Sequence, residues 1–304
     1  MKTCIKLSHV ISFLLICSLT ALYGQEKNDQ SLNDKLYQQY KEKGVDAALA
    51  TYHKEADKDD EYTGMSEPLN QLGYQIMMEA KDLDAAEKVF LAQIKTYPNE
   101  ANPLDSYGEF LMKKGKNEEA KKYFKKSVAA IEAMNDPSQA RNILIASKSN
   151  LAKIEGKTSV FDFVVGSWDM KIYDIIDGVK TPPYTGTIQW SYNDDNSLIT
   201  GSMYDDQGIY RGSRILAYDA LDDVYDLAYI RGGVFSGIEP STLMIEENSP
   251  QKVVFLETYK ENDQDKKARH TITKEGGTVE WSINELDTND AENPVAVMNF
   301  QKQK

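Results

Sequence analysis

Cysteine and histidine are scarce in this chain, which limits the chemistry open to the protein. Its two cysteines are Cys4 and Cys17, so the rest of the chain has no disulfide, thiol nucleophile or cysteine metal site. His53 and His270 lie in different halves, whereas metal clusters and Ser-His-Asp triads need several such groups close together. The sequence also lacks an HExxH motif, a Gly-x-Ser-x-Gly turn and a glycine-rich phosphate loop. We therefore predict no catalytic residue, no metal site and no cofactor.

Long apolar runs are also scarce. One run, from Val10 to Leu22, follows a positively charged start and precedes the small residue Gly24. It is too short for a transmembrane helix, which needs about 20 apolar residues. These features are typical of a signal peptide over residues 1–24, followed by a linker over 25–31. We expect an exported protein, periplasmic or secreted, without a membrane span.

Basic residues are fewer than acidic ones. The chain has 35 Lys and Arg and 48 Asp and Glu, which gives a net charge of −13. Most of the excess lies in residues 157–304, which hold 14 basic and 25 acidic residues. An acidic surface repels phosphate backbones and anionic lipids. Nucleic acid is therefore excluded as an expected partner, and so is a bare membrane surface.

The sequence period changes near Gly156. Residues 31–156 contain 16 alanines, 6 glycines and no tryptophan, and their apolar residues recur at helical spacing. Residues 157–304 contain 6 alanines, 11 glycines and all three tryptophans, and their apolar residues alternate. Alanine favours helices, whereas aromatic residues favour strands. The sequence thus predicts a multi-domain α and β protein, with helices over 32–156 and strands over 157–304.

The helical half contains an internal repeat with an offset of 35 residues. The first unit holds Leu69, Leu72, Gly73, Ile76, Ala85, Val89 and Ala92. They recur as Leu104, Tyr107, Gly108, Leu111, Ala120, Phe124 and Ser127. The pattern resembles the tetratricopeptide (TPR) repeat, whose unit is about 34 residues long and whose helices cross at small residues.

The TPR resemblance implies a concave groove lined by the first helix of each repeat. By register, the residues expected to face this groove are Asn70, Tyr74, Asn102, Asp105 and Glu109. Two interpretations remain open for them. They contact a protein or peptide, or they form a solvated face or pack against the second module.

The second half reads as about ten short strands with tight turns between them. The predicted strands begin with Phe161–Tyr173 and end with Val295–Phe300, and none is identified between Arg231 and Val253. Most turns are too short for crossover helices, which excludes a parallel sheet. Evenly spaced strands of this kind are typical of an antiparallel up-and-down barrel or a sandwich.

The first of these strands carries a further resemblance. The stretch Phe161-Asp162-Phe163-Val164-Val165-Gly166-Ser167-Trp168 resembles the Gly-x-Trp start of lipocalin-like barrels, and is similar to an uncharacterised bacterial barrel domain that opens with F-x-F-x-x-G-x-W. The resemblance implies a calycin-like antiparallel β-barrel. In lipocalins the tryptophan plugs the closed barrel end beneath a basic residue of the last strand. Here the last strand ends at Lys302 and has no arginine. We expect Trp168 to lie in the core.

A barrel of this size is either filled by side chains or holds one small ligand. The residues that we select as a candidate ligand site are Trp190, Tyr204, Arg214, Tyr229, His270 and Trp281. Some nitrobindin-like barrels bind haem through a single late histidine. Because Lys266, Lys267 and Arg269 flank His270, we expect an exposed strand histidine instead.

We therefore predict a non-catalytic binding protein. Its helical repeats would contact a protein or peptide, and its barrel would bind a small apolar ligand or act as a contact surface. The alternative is a hydrolase of the cell envelope with a carboxylate-based site in the barrel, supported by paired carboxylates with shifted pKa values. A fully packed barrel interior would exclude both the ligand and the enzyme.

Overall fold

The computed structural model describes residues 31–55, 66–194, 196–232 and 238–303. The expected signal peptide, and the linker up to residue 30, lie outside these ranges. The chain divides into two compact units, one ending at Phe110 and the other beginning at Leu111. Within the described ranges, no helix is both long and apolar enough to cross a membrane.

The described part of the first unit is helical. Its helices are α1 (Leu32–Lys43), α2 (Val45–Glu55), α3 (Glu67–Gln75), α4 (Leu83–Thr96) and α5 (Ala101–Lys113), which continues into the second unit. A π-helical turn, Ile76–Ala80, extends α3. Asp82 caps α4, because its side chain accepts a hydrogen bond of 3.0 Å from the Ala85 amide. All five helices lie within residues 32–156, where the apolar residues recur at helical spacing.

The small residue of the first repeat lies where two helices approach closely. A Cβ atom on Gly73 in α3 would come within 2.7 Å of Cε1 of Phe90 in α4. Leu69, Leu72 and Phe90 are fully buried around it. Only glycine allows this approach without displacing the phenylalanine ring.

The second unit begins with two further helices, α6 (Asn117–Glu132) and α7 (Arg141–Ile154). Ala120 of α6 is fully buried, as its place in the repeat predicts. Ser147 of α7 donates a hydrogen bond of 3.0 Å to the hydroxyl of Ser127 in α6. This buried pair satisfies two polar groups between the helices.

The described residues then form eleven antiparallel strands. They are β1 (Gly166–Ile176), β2 (Val179–Lys180), β3 (Tyr184–Tyr192), β4 (Leu198–Asp205), β5 (Tyr210–Asp219), β6 (Val224–Arg231), β7 (Ile238–Asn248), β8 (Lys252–Glu261), β9 (Gln264–Glu275), β10 (Thr278–Leu286) and β11 (Glu292–Lys302). Strands β1 and β3–β11 pair with their neighbours in chain order, and β11 pairs with β1 to close a ten-stranded barrel. The short β2 pairs only with the end of β1.

Two details differ from the sequence-based prediction. The first strand begins at Gly166, because Asp162–Val164 forms a 3-10 turn. Strand β7 was not predicted, and it pairs with β6 and β8 over most of its length. It carries Pro240 near its start and Glu246 near its end, which weaken the strand pattern.

One end of the barrel is closed by the chain segment that precedes β1. Phe161 is fully buried and stacks on Phe255, with ring centroids 4.9 Å apart. Trp168, 4 % exposed, donates from Nε1 to the Val164 carbonyl over 2.6 Å. The amino group of Lys302 lies 5.6 Å from the Trp168 ring centroid. The expectation that Trp168 lies in the core is therefore confirmed.

The interior near this end, which we call the closed half, is filled by side chains. Its core includes Trp168, Trp190, Leu216, Phe255 and Phe300. A cleft between the three tryptophans has a volume of only about 10 Å³. Such a space holds at most a single water molecule, so a ligand does not fit between the tryptophans.

Candidate functional site

The other half of the barrel interior contains polar side chains. Residues two apart on a strand share a face, so Arg214 faces inward with the core residue Leu216, and Glu257 with Phe255. By the same alternation, further inward residues are Ile172, Tyr229, Ser241, His270, Trp281 and Ile283. We call this region the polar half, and its residues Arg214, Ser241, Glu257, His270 and Trp281 the barrel network.

His270 is at the centre of the barrel network and is only 2 % exposed. The indole Nε1 of Trp281 donates to its Nδ1 over 2.9 Å. An indole N–H can only donate, so Nδ1 must accept and carries no proton. The proton of the neutral ring therefore lies on Nε2, which donates to Oε2 of Glu257 over 2.7 Å. Both imidazole nitrogens are thus occupied.

Glu257 receives a second hydrogen bond, of 2.6 Å, from the hydroxyl of Ser241 to its Oε1. Burial disfavours the carboxylate, but the hydrogen bonds from His270 and Ser241 and the charge of Arg214 outweigh burial and lower the pKa of Glu257. Glu257 is therefore an ionised carboxylate at neutral pH, and both of its oxygens are bonded.

Arg214 is surrounded differently. Its guanidinium carbon lies 5.3 Å from the ring centroid of Trp281 and 5.8 Å from that of Tyr229. One of its nitrogens donates to the sulfur of Met298 over 3.7 Å. Burial lowers the pKa of Arg214. Among the described residues, no carboxylate lies at ion-pair distance from this guanidinium.

The polar half is accessible to solvent although its residues face inward. Ile172, Arg214, Tyr229, Ser241 and Ile283 are all partly exposed, in contrast to the buried tryptophans and phenylalanines of the closed half. A separate concavity of about 1120 Å³ runs along the outer side of β5–β8, where the outward residues Ile215, Ala217, Ala228 and Thr242 line it. The exposure of the inward side chains is therefore what opens the polar half to a ligand.

The structure brings together four of the six residues selected for the ligand site. Arg214, Tyr229 and His270 lie in the polar half, and the buried Trp281 lies at its border with the closed half, where it also lines the cleft between the tryptophans. Trp190 belongs to the closed half, where it packs over Gly201, whose added Cβ would lie 2.7 Å from the indole ring.

Tyr204 lies elsewhere. It follows the inward-facing Met203 directly and so points to the outer face of β4, where its ring lies 5.9 Å from that of Tyr210.

One prediction about these residues is wrong. His270 is buried and not exposed, because its strand alternates and the basic neighbours that suggested exposure include Arg269 on the opposite face. Glu257 and Ser241 were missed. The signal for Glu257 was available, since it follows the apolar run Val253–Leu256 at an inward position.

The five residues selected in the helical unit also lie near one another. Tyr74 in α3 donates to Oε2 of Glu109 in α5 over 2.6 Å, and Asn102 in α5 donates to Glu67 over 3.4 Å. Burial and the bond to Glu109 raise the pKa of Tyr74.

The remaining two residues of that group differ in exposure. Asp105 is 6 % exposed, whereas Asn70 is half-buried and its Oδ1 has no hydrogen-bond partner among the described residues. The bonds of Tyr74 and Asn102 are contacts within the helical unit, and a role in binding a protein or peptide stays a prediction.

The barrel network does not have the geometry of a hydrolytic triad. A triad requires a nucleophile bonded to a histidine that a carboxylate orients. Here the Ser241 hydroxyl bonds to Glu257, and the second nitrogen of His270 bonds to Trp281. Within the described ranges, no group of three or more His, Cys, Asp or Glu is arranged to hold a metal ion.

Comparison with known proteins gives matches among solved structures. No family model matches the chain, and no curated protein matches it. Among solved structures, the crystal structure of Rv2717c from M. tuberculosis aligns with 48 % of this chain and 98 % of its own. The identity is 9 % and the TM-score is 0.33.

Proposed function

We propose that this is an exported, non-catalytic binding protein whose barrel holds a small, largely apolar ligand in the polar half. One observation carries the proposal. Inward-facing side chains such as Ile172 and Ile283 keep part of their surface exposed in the polar half, whereas the closed half is filled. Apolar surface left open inside a barrel favours burial of an apolar molecule.

The barrel network supports binding over hydrolysis. A general acid needs a raised pKa, whereas the pKa of Glu257 is lowered. A general base needs a free nitrogen or oxygen near the substrate, whereas both nitrogens of His270 are engaged. The bonds among Ser241, Glu257, His270 and Trp281 therefore support a wall of the ligand site and not a hydrolytic centre.

We also propose that the barrel is calycin-like. Its up-and-down strand order supports this assignment. So does the buried Trp168 at one end, beneath the cation of Lys302. Lysine would here take the place of the arginine that the last strand lacks.

For the helices we propose TPR-like repeats that contact a protein or peptide. The bonds Glu67–Asn102 and Tyr74–Glu109 join residues that are 35 positions apart, which is the offset of the sequence repeat. Equivalent positions of successive first helices thus lie side by side, as in stacked repeats.

A dye titration of the full chain tests the ligand site. We expect saturable binding of the neutral, apolar dye Nile red, with increased fluorescence. Ile283→Trp, which fills the polar half from inside, should abolish the binding. Ile215→Trp, the same change on the outward face of β5, should leave it intact. Equal binding by both variants, or no binding by the unchanged protein, would contradict the proposal.

A further inference from the structure

We propose that the ligand of the barrel carries one carboxylate and that Arg214 receives it. This inference rests on the proposed function and identifies the chemical class of the ligand. The polar half supplies apolar surface from the partly exposed Ile172 and Ile283 for the ligand body. Arg214, which lies beside the rings of Tyr229 and Trp281, supplies the cation for the ligand's charged end.

The charge of Arg214 is incompletely compensated inside the barrel. Its direct contacts are the sulfur of Met298 and the faces of two rings, and each is a weak partner for a guanidinium. A guanidinium has five N–H donors, and a charge removed from water is costly unless it is paired and hydrogen-bonded. A ligand anion would supply the missing partner.

Glu257 does not take that role. Its two oxygens already accept bonds from Ser241 and from His270. Glu257 affects the charge of Arg214 at longer range, and no ion pair joins them. Glu257 therefore does not form an ion pair with Arg214, and the guanidinium can still bind an anion of the ligand.

The charges around Arg214 favour an anion with a single charge. Glu257 is already ionised nearby, and both ring nitrogens of His270 are already engaged by Trp281 and Glu257. A dianion such as a phosphate monoester would place two negative charges near Glu257, where a carboxylate places one. A carboxylate carries one charge and matches the planar guanidinium with two parallel hydrogen bonds.

The test compares three probes that share one alkyl chain, namely dodecanoate, dodecan-1-ol and dodecyl phosphate. Each is titrated against the full chain at pH 7, with displacement of Nile red as the readout. We expect dodecanoate to bind about 10- to 100-fold more tightly than the alcohol, the range for a hydrogen bond to a charged group. Dodecyl phosphate should bind less tightly than dodecanoate.

Two variants assign the preference to Arg214. Arg214→Met should reduce dodecanoate affinity to that of the alcohol while the alcohol still binds. Arg211→Met is the matched control, because Arg211 is an exposed residue of the same strand that pairs with Asp205. It should keep the preference for the acid. Thermal unfolding of both variants establishes that they are folded.

The outcomes separate the two proposals. Alcohol binding without a preference for the acid would overturn the carboxylate assignment and leave the ligand site standing. A preference that survives Arg214→Met would also overturn it, as would tighter binding of the phosphate. Failure of all three probes to bind would overturn the proposed function as well.

Discussion

The indole nitrogen of Trp281 donates a hydrogen bond to Nδ1 of His270 across 2.9 Å. This single bond determines the protonation pattern of the barrel network, because it requires an unprotonated Nδ1 and therefore a proton on Nε2. Nε2 then donates to Glu257, and Glu257 is held by a second bond from Ser241. The position of one tryptophan thus determines which nitrogen of His270 donates to Glu257.

The tautomer of His270 is directly measurable. At neutral pH, nitrogen NMR of the histidine rings should show an unprotonated Nδ1 and a protonated Nε2 for His270. Trp281→Phe removes the donor and should change the His270 signals, whereas the exposed His53 should not respond. A His270 ring protonated at Nδ1 in the unchanged protein would contradict the hydrogen-bond scheme.

The lowered pKa of Glu257 predicts a pH dependence of stability. The ionised side chain is favoured in the folded state, so its contribution is fully present above the unfolded pKa of about 4.3 and is lost as pH falls through the lower folded value. Glu257→Gln should therefore reduce the loss of melting temperature on acidification from pH 6 to pH 3. The measurement is thermal unfolding of both proteins across that range, and parallel curves would refute the prediction.

A close approach in the helical unit makes Gly73 sensitive to substitution. Glycine to alanine normally stabilises a helix by about 1 kcal/mol. Here the new Cβ would lie 2.7 Å from the Phe90 ring. We expect Gly73→Ala to destabilise the unit by about 1–3 kcal/mol through overpacking. Circular dichroism during urea unfolding measures the change, Phe90→Leu in the same chain should relieve it, and a stabilised single variant would contradict the packing.

Gly201 makes the equivalent contact in the barrel. Its added Cβ would lie 2.7 Å from the indole ring of Trp190. Gly201→Ala should cost about 1–3 kcal/mol and alter Trp190 fluorescence. Ser191→Ala, at an exposed position of β3 beside Trp190, provides the control and should leave stability unchanged. A Gly201→Ala variant with unchanged stability would show that Trp190 does not pack closely against this position.

The sequence was sufficient for the class and order of the elements. Helical spacing up to Gly156 and alternation from there onward distinguish helices from strands, and short turns imply an antiparallel sheet. The apolar alternation does not predict strand β7, because Pro240 and the pair Glu246-Glu247 interrupt it. Ser241, at an inward position of the same strand, made the pattern weaker still.

The candidate site was predictable only in part. Arg214, Tyr229, His270 and Trp281 are polar or aromatic residues in strands, which is the reason for selecting them. Their grouping depends on which strands are neighbours around the barrel and on the register between them, and neither is readable from one strand alone. Tyr204 was selected on the same grounds and lies on the outer face.

The central claim is that a ligand enters the polar half of the barrel, and methyl NMR during a ligand titration tests it most directly. The full chain, labelled at isoleucine and methionine methyl groups, is titrated with dodecan-1-ol. The account predicts saturable shifts at the inward residues Ile172, Ile283 and Met298, with the outward Ile215 and Met244 unchanged. Shifts confined to the outward residues, or an absence of saturable shifts, would contradict it.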